Sequence, residues 1–239
     1  VENQGNSYLK LVFLNNIGSI YIELYQYDKA QTYIEEAMAL AIEIEESNLE
    51  LLTYINLSLI YLLIGDYEQS YNYYSILKGK SEKKTYSFEI ISFLHNFFGE
   101  FYFIFGQWEA ALESSKMAMK NCKDFSIWEY MASRTRIVTI EYLKDNIYDK
   151  IEIEKIRADF RKENISINRR EALLRLAFIP FLEKDYEYLL DILEEDEKLA
   201  EIYPIPKLDY IRGILLYSVS DDEDSIENLI KLETNMKKH

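Results

Sequence analysis

Glycine and proline are scarce: the 239 residues include 7 Gly and 3 Pro. Turn-dense all-β folds, collagen and low-complexity coil need far more of both, ordinary usage being about 7% and 5%. A helical protein is what remains. Cysteine is nearly absent as well. Cys122 is the single thiol, which excludes an internal disulfide and fits a reduced, cytoplasmic setting. The histidines are limited to His95 and His239, so a His-based triad or a zinc site has little to work with, and His95 reads as a packed imidazole. Neither a G-x-x-x-x-G-K-[ST] nor a G-x-G-x-x-G loop occurs, and phosphate cradling has no motif to rest on. No basic stretch precedes an apolar one at the N-terminus, and apolar runs such as Leu57 to Ile64 are short against the roughly 20 residues of a spanning helix. The expectation is a chain with no catalytic centre, no metal, no cofactor and no membrane anchor.

Positive charge is the other deficit. Lys and Arg number 27 against 42 Asp and Glu, a formal net charge of -15. Such a field repels phosphate backbones and anionic membranes, so neither nucleic acid nor a membrane is an expected partner. Apolar residues at 49% and charged residues at 29% exclude a disordered chain. The carboxylate runs Glu45-Glu46 and Glu194 to Glu197 read as solvated helix faces. Asp221 to Asp224 reads as the start of a helix, where carboxylates complement the dipole, with divalent-cation binding as the alternative. The chain opens on Val1 and closes on Lys237-Lys238-His239, and it reads as a piece of something larger.

What is abundant is self-similarity. The segment Leu14 to Tyr21, followed by Tyr27-Asp28-Lys29-Ala30 and Ala37, recurs as Tyr54 to Tyr61, then Gly65-Asp66-Tyr67, Ser70 and Tyr74. A third copy runs His95, Phe98-Gly99, Tyr102, then Gly106-Gln107-Trp108, Ala111 and Ala118. The small anchors Gly18, Ser58 and Gly99 stand 40 and 41 residues apart, a period that implies two helices of about four turns per unit. Gly18, Ser58 and Gly99, faced by Ala30, Ser70 and Ala111, let paired helices approach closely, while Tyr21, Tyr61 and Tyr102 are expected to fill the space between successive pairs. Each pair has apolar residues on more than one face, so stacking is obligatory. The C-terminal half is more degenerate: Trp128 to Leu143 with Ile151 to Lys162 form a fourth unit, Lys184-Asp185-Tyr186 repeats the inter-helix step of a fifth, and Gly213 with Ser220 to Asp224 marks a last pair. Pro180 should kink or shorten its helix.

These residues resemble the tetratricopeptide repeat family, whose pattern sets a bulky residue, Leu-Gly and Tyr in the first helix and Ala, an aromatic and Ala in the second. The resemblance is strongest from Leu11 to about Lys123, and the long period is similar to that of repeats in bacterial signalling regulators and kinesin light chains. It implies an all-α, right-handed superhelix of about six antiparallel helix pairs: well-formed pairs over residues 1–125 and degenerate ones continuing the solenoid over 126–239. The implied activity is non-catalytic binding of a protein or peptide segment, as the sensor or interaction domain of a larger bacterial cytosolic protein, a transcriptional regulator, diguanylate cyclase or histidine kinase. The alternatives are a free-standing assembly adaptor and a phosphatase-type modulator of response regulators. The residues leave oligomerisation open.

In that register the first helix of each pair lines the binding groove. Its candidate residues are Asn15, Asn16, Ser19 and Ile22 in the first unit, Ile55, Asn56, Leu59 and Leu62 in the second, and Asn96, Glu100 and Phe103 in the third. Asn16 and Asn56 are 40 residues apart, and such amides either clasp a ligand backbone or bond a neighbouring helix. Arginine is unevenly distributed: none occurs before residue 134, and Arg134, Arg136, Arg157, Arg161, Arg169, Arg170 and Arg175 crowd together, with only Arg212 beyond. A guanidinium fork suits carboxylates. Arg134, Arg136 and Arg175 are therefore the expected receivers of an acidic group, with intramolecular pairing to the abundant Asp and Glu as the alternative.

Overall fold

A computed structural model describes residues 2–83, 86–122, 126–162 and 167–220. The described residues form eleven α-helices and no strand: α1 (Glu2–Glu23), α2 (Tyr27–Glu43), α3 (Ser47–Ile64), α4 (Tyr67–Lys83), α5 (Phe88–Ile104), α6 (Trp108–Cys122), α7 (Ile127–Asp145), α8 (Lys150–Lys162), α9 (Ile167–Leu182), α10 (Tyr186–Ala200) and α11 (Pro206–Ser220). The expected step at Asp221 to Asp224, and His239, lie outside them. The chain divides into two compact units, residues 1–130 and 131–239.

In the first unit, consecutive helices pack as antiparallel neighbours because their connections are short and their small residues face one another. A Cβ on Gly18 would lie 2.4 Å from Ile34 Cδ1, so only glycine lets α1 sit this close to α2. In the next pair Ser58 donates to the Ser70 carbonyl at 2.8 Å and Ser70 donates back to the Ser58 carbonyl at 2.9 Å. Gly99 and Ala111 are both buried between α5 and α6. Along α2 the buried residues are Ala30, Ile34, Ala37 and Ala41, spaced to form one stripe. Ala30 and Ile34 meet Leu57 and Ile60 of α3 in a shared core, which is how one pair stacks on the next.

The aromatic residues depart from expectation in one respect. Tyr21 stacks on Tyr33 and Tyr61 on Tyr73, at centroid distances of 5.5 and 5.6 Å, so both stack within their own pair, and Tyr61 also accepts from Gln31 of the preceding pair at 3.0 Å. Tyr102 alone of the three stacks across pairs, edge-on to Tyr74, whose hydroxyl is 2.8 Å from its own. Tyr74 in turn lies flat on Phe101 at 4.3 Å.

The turns follow the repeat too. Gly65 (φ 84°) and Gly106 (φ 68°) end their helices in the left-handed region, where glycine carries no Cβ penalty. At the matching positions Tyr25 and Lys184 adopt φ 59° and 58° without that freedom.

Helix α3 corrects the expectation about apolar runs. Its 18 residues have a mean hydropathy of 1.4, long and apolar enough by length and composition to cross a membrane. Leu51, Ile55, Leu57, Ile60 and Leu62 are buried among α2, α4 and α5, so this apolarity is that of a core helix.

In the second unit the helices are joined by ions as well as apolar residues. Pro180 lies two residues before the end of α9, close enough to the terminus to leave most of the helix unbroken. Leu173, Leu176, Ala177, Leu189, Ile192 and Leu193 supply the core between α9 and α10. Between and around them lie the arginines.

Candidate functional site

On α1 and α3 the predicted groove residues come together, but largely to bond one another. Asn56 Nδ2 donates to Asn15 Oδ1 at 3.0 Å and to Ser19 Oγ at 3.4 Å, and Ser19 donates to the Asn15 carbonyl at 3.0 Å. Asn15 and Asn56 are 3% and 8% exposed. Their amides therefore tie α1 to α3, the neighbouring-helix role rather than a ready clasp. Asn16, the repeat equivalent of Asn56, is exposed on α1 and has turned away from this cluster. A one-residue step on a helix rotates a side chain by about 100°, which is why Asn15, and not its neighbour Asn16, meets Asn56.

The remaining unit 1 positions divide between surface and core. Ile55 and Leu62 are buried in the core, contrary to their expected place in the groove. Ile22 and Leu59 are half-buried, each against a core cluster. On α5, Asn96, Glu100 and Phe103 recur at i, i+4 and i+7 and share a face, all of them half-buried. Asn96 donates from Nδ2 to Glu129 Oε2 on α7, a second amide link between first helices, and Phe103 meets Trp108 edge-on at 5.7 Å. The surface left by these contacts is a preformed face of half-buried Ser19, Leu59, Glu100 and Phe103 whose backbone positions are held by amide links.

A separate, open cavity of about 400 Å³ is lined by Tyr71, Tyr74, Lys78, Phe101, Tyr102 and Gln107, among others. Tyr102 stands about 120° around α5 from Asn96, so this cavity opens on another side of the helix. Burial, with the Tyr74 hydroxyl adding to it, pushes the Tyr102 phenol up to about 12. His95, on the same helix, is half-buried, and burial lowers its pKa against the opposing charge of Glu113. Burial likewise pushes the Cys122 thiol up to about 11, which leaves it a poor nucleophile at neutral pH.

The arginines are engaged within the second unit. Arg134 donates from Nε to Glu152 at 3.1 Å and from Nη1 to Asp159 at 2.7 Å, joining α7 to α8. Arg157, 1% exposed, donates to Glu195 at 2.8 and 3.0 Å, to Asp191 at 2.7 Å and to Glu154. Glu195 also accepts from Arg161 at 2.7 Å and from Arg169. Burial raises the Glu195 carboxyl, but hydrogen bonds from Arg161 and Arg169 and the charge of Arg157 outweigh it and hold the group below its ordinary value. Arg170, fully buried, donates to both oxygens of Asp196 at 2.9 and 3.1 Å, to Asp209 at 2.7 Å and to the Tyr203 carbonyl at 2.9 Å. Its hydrogen bonds to Asp196 and Asp209 outweigh the cost of burial and keep the guanidinium charged.

The three arginines expected to receive an acidic group are placed accordingly. Arg134 is bonded as above, Arg136 is 3% exposed, and Arg175 lies 3.7 Å from Glu171 one turn away. At Arg134 the chain's own carboxylates take the place assigned to an acidic ligand, and Arg157 and Arg170 are committed to buried ion pairs. The missed signal was in the partners. Asp191 and Glu195 lie one turn apart on α10 and meet Arg157, while Asp196, in a run expected to be a solvated face, is fully buried against Arg170.

Residues 10–75 match the family model of the tetratricopeptide repeat, the stretch that holds most of α1 and α4 and all of α2 and α3. Over this segment the chain is similar to the tetratricopeptide repeat family. No curated protein matches the chain.

Proposed function

We propose that the chain is a non-catalytic module that binds a protein or peptide segment on the first-helix face of its N-terminal unit, and that it serves as the sensor or interaction domain of a larger bacterial cytosolic signalling protein. The observation that carries the binding role is the half-buried face of Ser19, Leu59, Glu100 and Phe103, supported from behind by the Asn15–Asn56 and Asn96–Glu129 links. Amides already committed to each other leave side-chain shape and apolar contact as the main means of recognition, with Glu100 as the charge that selects. Surfaces of this kind bind through a few anchors rather than through area. The host context is supported by the long repeat period and by the resemblance of these repeats to those of bacterial regulators. Ligand on this face would shift the spacing of stacked pairs and so move whatever the array carries.

Peptides selected from a random display library against the whole chain test the site. Calorimetry on the selected peptides should show affinity lost in Leu59→Asn and Phe103→Ala, kept in Tyr71→Ala, and a changed charge preference in Glu100→Lys, with thermal melts confirming that the variants fold. Binding indifferent to all three face variants would overturn the assignment. The coding sequence flanking these residues tests the host: an adjoining DNA-binding or catalytic domain supports the regulator, and none supports the adaptor.

A further inference from the structure

Helix α1 carries an apolar stripe that nothing in the described chain covers. Leu9, Phe13, Ile17, Ile20 and Leu24 are 55%, 64%, 37%, 54% and 38% exposed. Together with exposed Asn16 they fall within an arc of about 100° on the helix. The repeat register says what such a face is for. Forty residues on, the equivalents Thr53, Leu57 and Ile60 of α3 are each 0% exposed, and Leu57 and Ile60 are buried against Ala30 and Ile34 of α2. The α1 stripe thus has the composition of an inter-helix contact, while the α2 stripe that meets α3 is already occupied.

We propose that this stripe is the contact surface between two copies of the chain, packed α1 against α1 in antiparallel fashion. Three features select a second copy. The stripe is free of charge in a protein of net charge -15: from Asn3 to Ile22, Lys10 is the only charged residue of α1, and it is paired with Glu36 of α2 at 2.8 Å. Like-charged copies are repelled at most other approaches, and here they are not. The spacing of Leu9, Phe13, Asn16 and Ile20 alternates fours and threes, the pattern by which two helices interdigitate along a seam. A two-fold axis passing between residues 16 and 17 then sets Phe13 against Ile20 and Leu9 against Leu24 of the other copy. It also brings the two Asn16 side chains beside each other, and an amide, both donor and acceptor, is complementary to itself.

The five side chains and their mates would bury on the order of 900 Å², the low end for a specific interface. The dimer is therefore weak and concentration-dependent. Added salt tightens it by screening the overall like charge.

Sedimentation equilibrium of the chain across a range of concentrations and salt tests this directly. A monomer–dimer equilibrium strengthened by salt is expected, with Phe13→Asp and Ile20→Asp each raising the dissociation constant at least ~30-fold, the loss of a central anchor, and Tyr71→Asp leaving it unchanged. Thermal melts of both variants guard against misfolding. Disulfide trapping reads the geometry independently, since Cys122 is buried. Asn16→Cys should cross-link to itself, Leu9→Cys should not, and a mixture of Leu9→Cys and Leu24→Cys should. A chain that stays monomeric throughout, or a dimer indifferent to Phe13→Asp and Ile20→Asp, overturns the proposal.

Discussion

The two units solve the same packing problem with different chemistry. Residues 1–130 contain no arginine; their helices are joined by tyrosine stacks, phenylalanine clusters and mostly neutral buried groups such as Asn15, Asn56, Ser58, Ser70 and Ser115. Residues 131–239 bury Arg136, Arg157, Arg170 and Asp196 and join α8 to α10 and α9 to α11 through bonded guanidinium groups. An aromatic contact tolerates small slides of one helix over another. A fork bonded to two carboxylates does not, so the second unit is fixed in geometry at the cost of desolvating its ions. The first unit keeps its polar groups cheap to bury and leaves its surface available.

The largest expected break in this contrast is Arg170→Ala. It leaves Asp196 fully buried without its guanidinium, and removing one partner of such a pair costs about 3–5 kcal/mol. Chemical denaturation should show the loss, with hydrogen exchange rising first in α9, α10 and α11. The double variant Arg170→Met, Asp196→Leu should recover most of it, since apolar replacement of both partners is often neutral or better. Wild-type stability in Arg170→Ala would mean that the ionic account of the second unit is wrong.

Gly18→Ala is the corresponding break in the first unit. The added methyl meets Ile34 at 2.4 and 2.6 Å, an overpacking expected to cost about 1–3 kcal/mol. Gly79→Ala, where a Cβ meets nothing within 4 Å, should instead stabilise α4 by up to about 1 kcal/mol. Thermal melts of the two variants should move in opposite directions, and a shared direction would remove the close-approach argument.

Acid should separate the units more gradually. A hydrogen bond from Arg134 leads the causes that hold Asp159 below its ordinary 3.8, and Glu195 is held below its ordinary 4.5. Groups depressed in the fold contribute stability above their unfolded values and lose it as pH falls through the folded ones. Asp196 runs the other way, because burial raises its carboxyl against the pull of Arg170, and its protonation offsets part of the loss. Hydrogen exchange followed downward from about pH 5 should show α7, α8 and α10 opening around Arg134 and Glu195 before α2 and α3. Simultaneous opening would erase the electrostatic contrast.

The smallest effect sharpens the turns. Lys184 holds φ 58° where the matching Gly106 holds 68°, so Lys184→Gly should stabilise by about 0.5–1 kcal/mol, the relief of a left-handed non-glycine residue less the entropy glycine adds to the unfolded chain. A calorimetric melt that falls would show the lysine side chain to be more useful than its strain is costly.

Much of the fold was legible in the residues because it rests on size, which the alphabet encodes directly. Gly18, Ser58 and Gly99 announced close approach. What was not legible depends on rotation and on choice of partner. Asn15 rather than Asn16 bonds Asn56 because the two differ by 100° around α1, a distinction that a 40-residue period does not carry. The arginines were visible as a cluster, but whether their carboxylates come from a ligand or from α8, α10 and α11 is decided by three-dimensional proximity. Tyr21 and Tyr61 were identified as filling residues between pairs; each also stacks within its own pair, while Tyr21 packs on the α2–α3 cluster and Tyr61 accepts from Gln31 of α2.

Helix α3 has a consequence for how the protein is made. Its core partners are Tyr74 and Leu77 of α4 and, in larger number, Ile90, Leu94, Phe97 and Phe101 of α5, which ends 40 residues after α3 does. At about 5–20 residues per second of synthesis, the ribosome needs roughly 2–8 s to deliver them. For that interval the nascent chain holds an apolar 18-residue segment shielded only by α2 and α4. Burial of α3 is therefore complete only once α5 has emerged and packed on it.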